Sequence, residues 1–156
     1  LARLSADSRV HPDVRRAADP DLSRRIPEMA LSEKMDLARS VGRGTLLALR
    51  FDPDPRVVLA VLDNRFATEP DIIPVAARSQ TPSGVLESIA SHPRWVLRPA
   101  LRSPLLQNLA LPTAVALSLL SRASAADLAG LLAASGISRL VKACAERVLA
   151  RRGEPH

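Results

Sequence analysis

The apolar positions of this chain come in short bursts, and a proline stands near the start of most of them. The stretch from Asp52 to Trp95 shows the pattern best and reads as three short helices. The first covers Pro55 to Asn64, with Val57, Val58, Val61 and Leu62 as its apolar stripe. Three β-branched residues would also suit a strand. PRVVLAVLDN lacks polar alternation, however, and Pro55 and Asn64 are start and stop signals for a helix. The second helix follows Thr68, where Thr68-x-x-Asp71 has the shape of a capping box. Pro74 leaves two readings: Asp71 is the cap and Pro74 lies in the first turn, or the helix kinks at Pro74. The third helix follows Thr81, with Pro82 at its first position and Val85, Leu86, Ile89 and Ala90 on one face.

The flanks read in the same way. Residues 1–11 hold no sustained period, and Pro12 opens a short helix, PDVRRAAD. A polar link from Asp19 to Pro27 follows. Ser32 is positioned to cap a helix reaching Val41. Gly42 and Gly44 punctuate the chain before a short apolar helix, Thr45 to Phe51. Downstream, Arg94–Arg102 is predicted helical with a kink at Pro99. Pro112–Ser121 is apolar almost all round and is expected to be buried on most sides. Ser124-x-x-Asp127 is a second capping-box shape, ahead of Leu128, Leu131 and Leu132 pointing inward. Gly136 ends that helix. In the last helix, Ile137 to Arg152, Leu140, Val141, Cys144, Val148 and Leu149 form one face, and Lys142 can pair with Glu146 at i,i+4.

Short phrases recur. His92-Pro93-Arg94-Trp95 matches Asp54-Pro55-Arg56-Val57, and both match His11-Pro12-Asp13-Val14. Ser138-Arg139-Leu140-Val141 is a fainter copy. A recurrence of roughly 40 residues, each unit holding two or three helices, is the period of HEAT and armadillo arrays. Units of that kind bury their apolar faces only by stacking. The phrases DPDPRVVLAVLDN, TPSGVLESIASHP and LPTAVALSLLSRASAADLAGLLA resemble the degenerate helical repeats of bacterial HEAT-like and leucine-rich-repeat-variant proteins. The likeness spans about residues 45–150. It implies an all-α, right-handed α-solenoid of about three repeats over residues 45–152, preceded by a divergent helical segment, 1–44.

Composition adds limits. Of the 156 residues 47% are apolar but only 2% aromatic, so the core must be Leu, Ala, Val and Ile. Those are helix-compatible residues, Ala and Leu above all. The single cysteine, Cys144, rules out an intramolecular disulfide and a cysteine metal cluster. No apolar run approaches the ~20 residues of a membrane span. No secretory signal is evident, so a cytoplasmic location is expected. The chain begins with Leu1, and a longer parent polypeptide is expected. Net charge is +6, with the basic excess in the two ends: 10 basic against 7 acidic residues in 1–50, and 7 against 3 in 101–156.

No motif for phosphate, dinucleotide or nucleophilic serine chemistry is present. His11 and His92 precede prolines at matching places, which points to helix starts rather than catalysis. Asp52, Asp54, Asp63, Glu69 and Asp71 fall at helix ends, where carboxylates act as caps. No catalytic residue, metal ligand or cofactor is expected. The function read from this is a non-enzymatic interaction scaffold, its partner another protein or another domain of the same polypeptide. The alternative is nucleic-acid binding on a basic concave face, as in HEAT-like DNA-repair glycosylases. Arg15, Arg16, Arg24, Arg25, Arg94, Arg98 and Arg102 motivate it. The candidate binding surface is Arg94, Trp95, Arg98 and Arg102, with Trp95 either a stacking ring or, as Val57 at the matching place suggests, an interhelical packing residue.

Overall fold

The structure, a computed structural model, describes Leu22 and residues 24–153. All regular structure among the described residues is helical. The helices are α1 (Leu31–Ser40), α2 (Arg43–Leu49), α3 (Pro55–Leu62), α4 (Glu69–Ala77), α5 (Ser83–Ser91), α6 (Arg102–Gln107), α7 (Thr113–Arg122), α8 (Ala125–Ala133) and α9 (Arg139–Gly153). Short 3-10 turns stand at Ile26–Glu28 and Pro99–Leu101. The helix expected at Pro12 lies outside the described residues. The chain divides into two compact units, 1–75 and 76–156, with the boundary inside α4. The division expected at 44/45 falls within α2.

Prolines set most of the helix starts. Pro55 is the first residue of α3, and Asp54 caps it by accepting the Arg56 amide at 2.9 Å. Pro82 and Pro112 sit one residue further out than expected, at the N-caps of α5 and α7. Neither loses a hydrogen bond there, because the first amides of a helix have no intrahelical acceptor. α1 begins at Leu31, ahead of Ser32. The Glu33 carboxylate folds back to accept the Ala30 amide at 3.0 Å. Pro74 lies inside α4, past its first turn, so Asp71 belongs to the helix rather than preceding it.

Pro99 does more than kink its segment. The expected helix Arg94–Arg102 is a series of turns up to Leu97, then the 3-10 turn, then α6. Proline has no amide to give the preceding turn, and its ring pushes the residue before it out of the helical region. Arg98 is accordingly extended, at φ −91° and ψ 108°. Gly136, at φ +86°, turns the chain after α8 in a conformation that costs other residues strain.

Each unit has its own aliphatic core. In the first, α1 packs on α3, and α2 packs on both. Leu37, Val41, Leu46, Leu49, Val57 and Val61 are buried between them. In the second, α9 packs on α7 and α8, and α6 packs on both of those. Leu105, Leu119, Leu128 and Leu131 are among its buried residues. α7 is buried on one face only, through Ala116, Leu119 and Leu120, while Leu117 is 43% exposed. Its nearly uniform apolarity therefore overstated its burial. In α9 the inward residues are Val141 and Ala145, whereas Leu140 is 53% exposed.

Two buried asparagines tie helix ends together. Asn64, just past α3, donates its side-chain amide to the carbonyls of Ala38 at 2.7 Å and Val41 at 2.9 Å, at the end of α1. Its Oδ1 accepts the Phe66 amide at 2.7 Å. Asn108, just past α6, donates to the carbonyls of Ala76 at 2.8 Å and Arg78 at 3.0 Å, at the end of α4. Its Oδ1 accepts the Ala110 amide at 3.0 Å. At the end of α7 an arginine takes this place. Arg152, in α9, donates to the carbonyls of Ala123 and Ser121. Asn64→Ala and Asn108→Ala each strand buried carbonyls, so each is expected to lower stability by roughly 2–4 kcal/mol. Urea unfolding followed by circular dichroism measures this. A loss below about 0.5 kcal/mol, the scale of an ordinary surface change, would mean that water replaces the asparagine.

Candidate functional site

The four residues expected to form a binding surface lie on the stretch between α5 and α6 and at the start of α6. Trp95 is 2% exposed. The Arg94 guanidinium lies over its ring, 4.4 Å from the centroid. The His92 ring also neighbours it, with centroids 6.2 Å apart and planes tilted by 41°. The indole is thus a core residue under a cationic lid, and it presents no open face on which a base could stack. Arg102 pairs with Asp127 across 3.2 Å, which turns its charge inward to the start of α8. Arg98 is exposed. Of the three arginines, Arg94 is engaged with the Trp95 ring and Arg102 with Asp127.

His92 has a structural task. Its Nδ1 accepts the Arg94 amide at 3.1 Å. Asp54 accepts the Arg56 amide in the same i to i+2 relation. Both residues precede a proline, so the recurrence of His-Pro-Arg and Asp-Pro-Arg in the sequence corresponds to one shared hydrogen-bonding turn. His11 and His156 lie outside the described residues. Cys144 is a free thiol, half-buried on α9. Among the described residues no cluster of three His, Cys, Asp or Glu side chains is placed to hold a metal ion.

The acidic residues sort by partner. Asp52 is nearly enclosed and meets Lys34 at 3.3 Å, beside a cleft of about 460 Å³ lined in part by Met29, Leu31 and Pro53. It also accepts the Asp54 amide at 2.9 Å. Asp127 completes a full capping box with Ser124: the Ser124 amide reaches its carboxylate at 2.9 Å, and its own amide reaches Ser124 Oγ at 3.0 Å. Those bonds, with Arg102 adding to them against a smaller cost of burial, hold its pKa below the ordinary value.

Asp71 departs from the box expected for it. Thr68 gives both its amide, at 2.9 Å, and its hydroxyl, at 2.5 Å, to one Asp71 oxygen. Arg43 donates to the other at 3.2 Å. Arg50 reaches the Asp71 carbonyl at 3.5 Å, while its buried Nε has no hydrogen-bond partner. Burial alone would raise the pKa of Asp71, but the Thr68 and Arg43 bonds outweigh it and hold it below the ordinary carboxylate value. Every part of this cluster is a fold contact within the first unit, and a substrate has no free acid or base there.

Asn64 and Asn108 are the polar residues whose role the sequence reading missed. Asn64 was legible as a helix stop, and Asn108 drew no notice. The signal was present as Leu-x-Asn-x-x-Ala at Leu62–Ala67 and Leu-x-Asn-x-x-Leu at Leu106–Leu111, where both ends of each phrase are buried. No family model, no curated protein and no solved structure matches this chain.

Asp71→Ala removes the acceptor of four hydrogen bonds, two from Thr68 and two from Arg43, and roughly 2–4 kcal/mol of stability should go with it. Its pH signature has a definite sign. The unfolded carboxyl binds protons at higher pH than the folded one, so the stabilisation is complete above about 4. It drains away as pH falls through the lower folded value. Acid titration of unfolding stability should be shallower in Asp71→Ala than in the parent protein; parallel curves would rule the carboxylate out as a stabilising group.

Proposed function

We propose that the chain is a non-enzymatic protein-interaction module built from three-helix blocks. The blocks are α1–α3, α4–α6 and α7–α9. One observation carries the reading: in each block a polar side chain at or after the third helix clasps the terminal carbonyls of the first. Asn64, Asn108 and Arg152 do this, and they stand 44 residues apart in sequence. A structural solution reused at a fixed interval is what a helical-repeat array requires, since its blocks face the same problem in turn. A right-handed α-solenoid of the HEAT or armadillo kind is the arrangement we infer. Arrays of this type work by presenting long surfaces to other macromolecules.

The chemistry of the side chains supports a protein partner over a nucleic acid. Phosphate binding draws on exposed arginines and, for single strands, on open aromatic rings. Here Trp95 is closed and Arg102 is paired. The titratable clusters are absorbed in capping and pairing, which supports a non-enzymatic role. No described helix is long and apolar enough to cross a membrane. Crosslinking of the protein in its source cells, with and without nuclease, tests the proposal. Protein crosslinks that survive nuclease are the expected result. Capture that disappears with nuclease, together with duplex DNA binding that persists at physiological salt, would establish the basic-face reading in its place.

A further inference from the structure

α9 carries an apolar strip that the described residues cover only in part. Val141 and Ala145 face α7 and α8 and are buried. Beside that line run Leu140, Cys144 and Val148, each four residues after the last. Leu140 is 53% exposed, and Cys144 and Val148 are half-buried. Arg147 and Arg151 follow Leu140 by seven and eleven residues, which on a 3.6-residue helix brings them back to its line. Both are exposed. The helix holds five basic residues, Arg139, Lys142, Arg147, Arg151 and Arg152, against the single acid Glu146. The Lys142–Glu146 pair that the spacing allows is not formed.

We infer that this face of α9 is a docking site for an acidic amphipathic helix of a partner protein, one that sets apolar residues on the Leu140–Cys144–Val148 strip and carboxylates against Arg147 and Arg151. The inference rests on the interaction-module reading and names the chemistry of the partner. Charge complementarity selects the occupant. A second copy of the chain would set two strongly basic helices together, and like charges across an interface are unfavourable. A lipid surface would need a broad apolar face, whereas the Val141–Ala145 line is already spent on α7 and α8. Nucleic acid would gain from the arginines, but Leu140 at the head of the strip offers it neither a donor nor a ring. A helix with an i, i+3, i+4, i+7 apolar stripe uses both halves of the face, leucine and arginines together.

The test uses the intact chain and fluorescein-labelled synthetic peptides, read by anisotropy. One peptide has leucines at i, i+3, i+4 and i+7 with glutamates beside them. A second has the same composition in scrambled order. A third has lysine in place of each glutamate. The acidic amphipathic peptide should bind and the scrambled one should not. Leu140→Asp, at a half-exposed site, should weaken binding about tenfold, as loss of one apolar anchor does, with circular dichroism showing the helical fold intact. The Arg147→Glu, Arg151→Glu double variant should lose the acidic peptide and gain the lysine peptide. Absence of binding, equal binding of the scrambled peptide, or indifference to Leu140→Asp would overturn the proposal. So would loss, in these variants, of binding to duplex DNA or to phosphatidylglycerol vesicles in place of the peptide. Failure here alongside nuclease-resistant protein crosslinks would leave the interaction module standing and its partner chemistry wrong.

Discussion

A helix leaves its last carbonyls without intrahelical donors, and a short helix leaves a larger share of them. Among the described residues the α-helices are six to ten residues long, α9 apart. The chain's architecture therefore depends on how those ends are paired. Where ends are buried, water cannot serve, and side chains must reach them. Asn64, Asn108 and Arg152 do so by crossing from one helix to the end of another. Capping and tertiary packing become one interaction: the same bonds that finish α1 fix the place where α3 gives way to α4.

That dependence explains a chain that looks inconsistent in composition. Thirteen prolines would be a liability in long helices. In short ones most of the described prolines fall at N-caps, in first turns or between helices, Pro74 inside α4 excepted, and there they preset the backbone at little cost. The aliphatic core suits the same plan. Leu, Val and Ala fill narrow spaces between short helices, and Trp95, the one large ring in the second unit, is closed off by Arg94 and His92. Polar residues that would suggest chemistry in another setting are consumed in this way. Asp54, Asp71, Asp127 and His92 all complete turns or caps.

Much of the fold was legible because local rules and tertiary packing agree over most of the chain. The Pro55 and Thr81 helices, their buried faces, and the Ser124 cap follow from periodicity and capping chemistry alone. The failures occur where a distant partner decides. Pro112–Ser121 is apolar all round, and only packing settles which side is covered. Leu140 and Val141 are equal as hydrophobes, yet they part company because α7 and α8 lie against one side of α9. Trp95 reads as core by analogy with Val57, but a stacking role stays open until its neighbours are placed. Asn108 was silent for a similar reason, since its acceptors lie some thirty residues upstream. The Asp-Pro-Arg and His-Pro-Arg phrases stood out because their hydrogen bond spans only two residues.

The asparagine clasp also sets how the protein ages. Hydrolysis of an asparagine side chain to a carboxylate changes its size hardly at all. At Asn64 or Asn108, however, it would exchange a group with two donors for one with none, aimed at two carbonyl oxygens and carrying a negative charge. The most conservative replacement by shape is thus among the worst by electrostatics. Enclosure shields both amides from the water that drives that reaction, so the folded state guards the very groups that hold it together. Chemical damage at these two positions would then report on how often the chain opens, as a slow clock of its excursions out of the native fold.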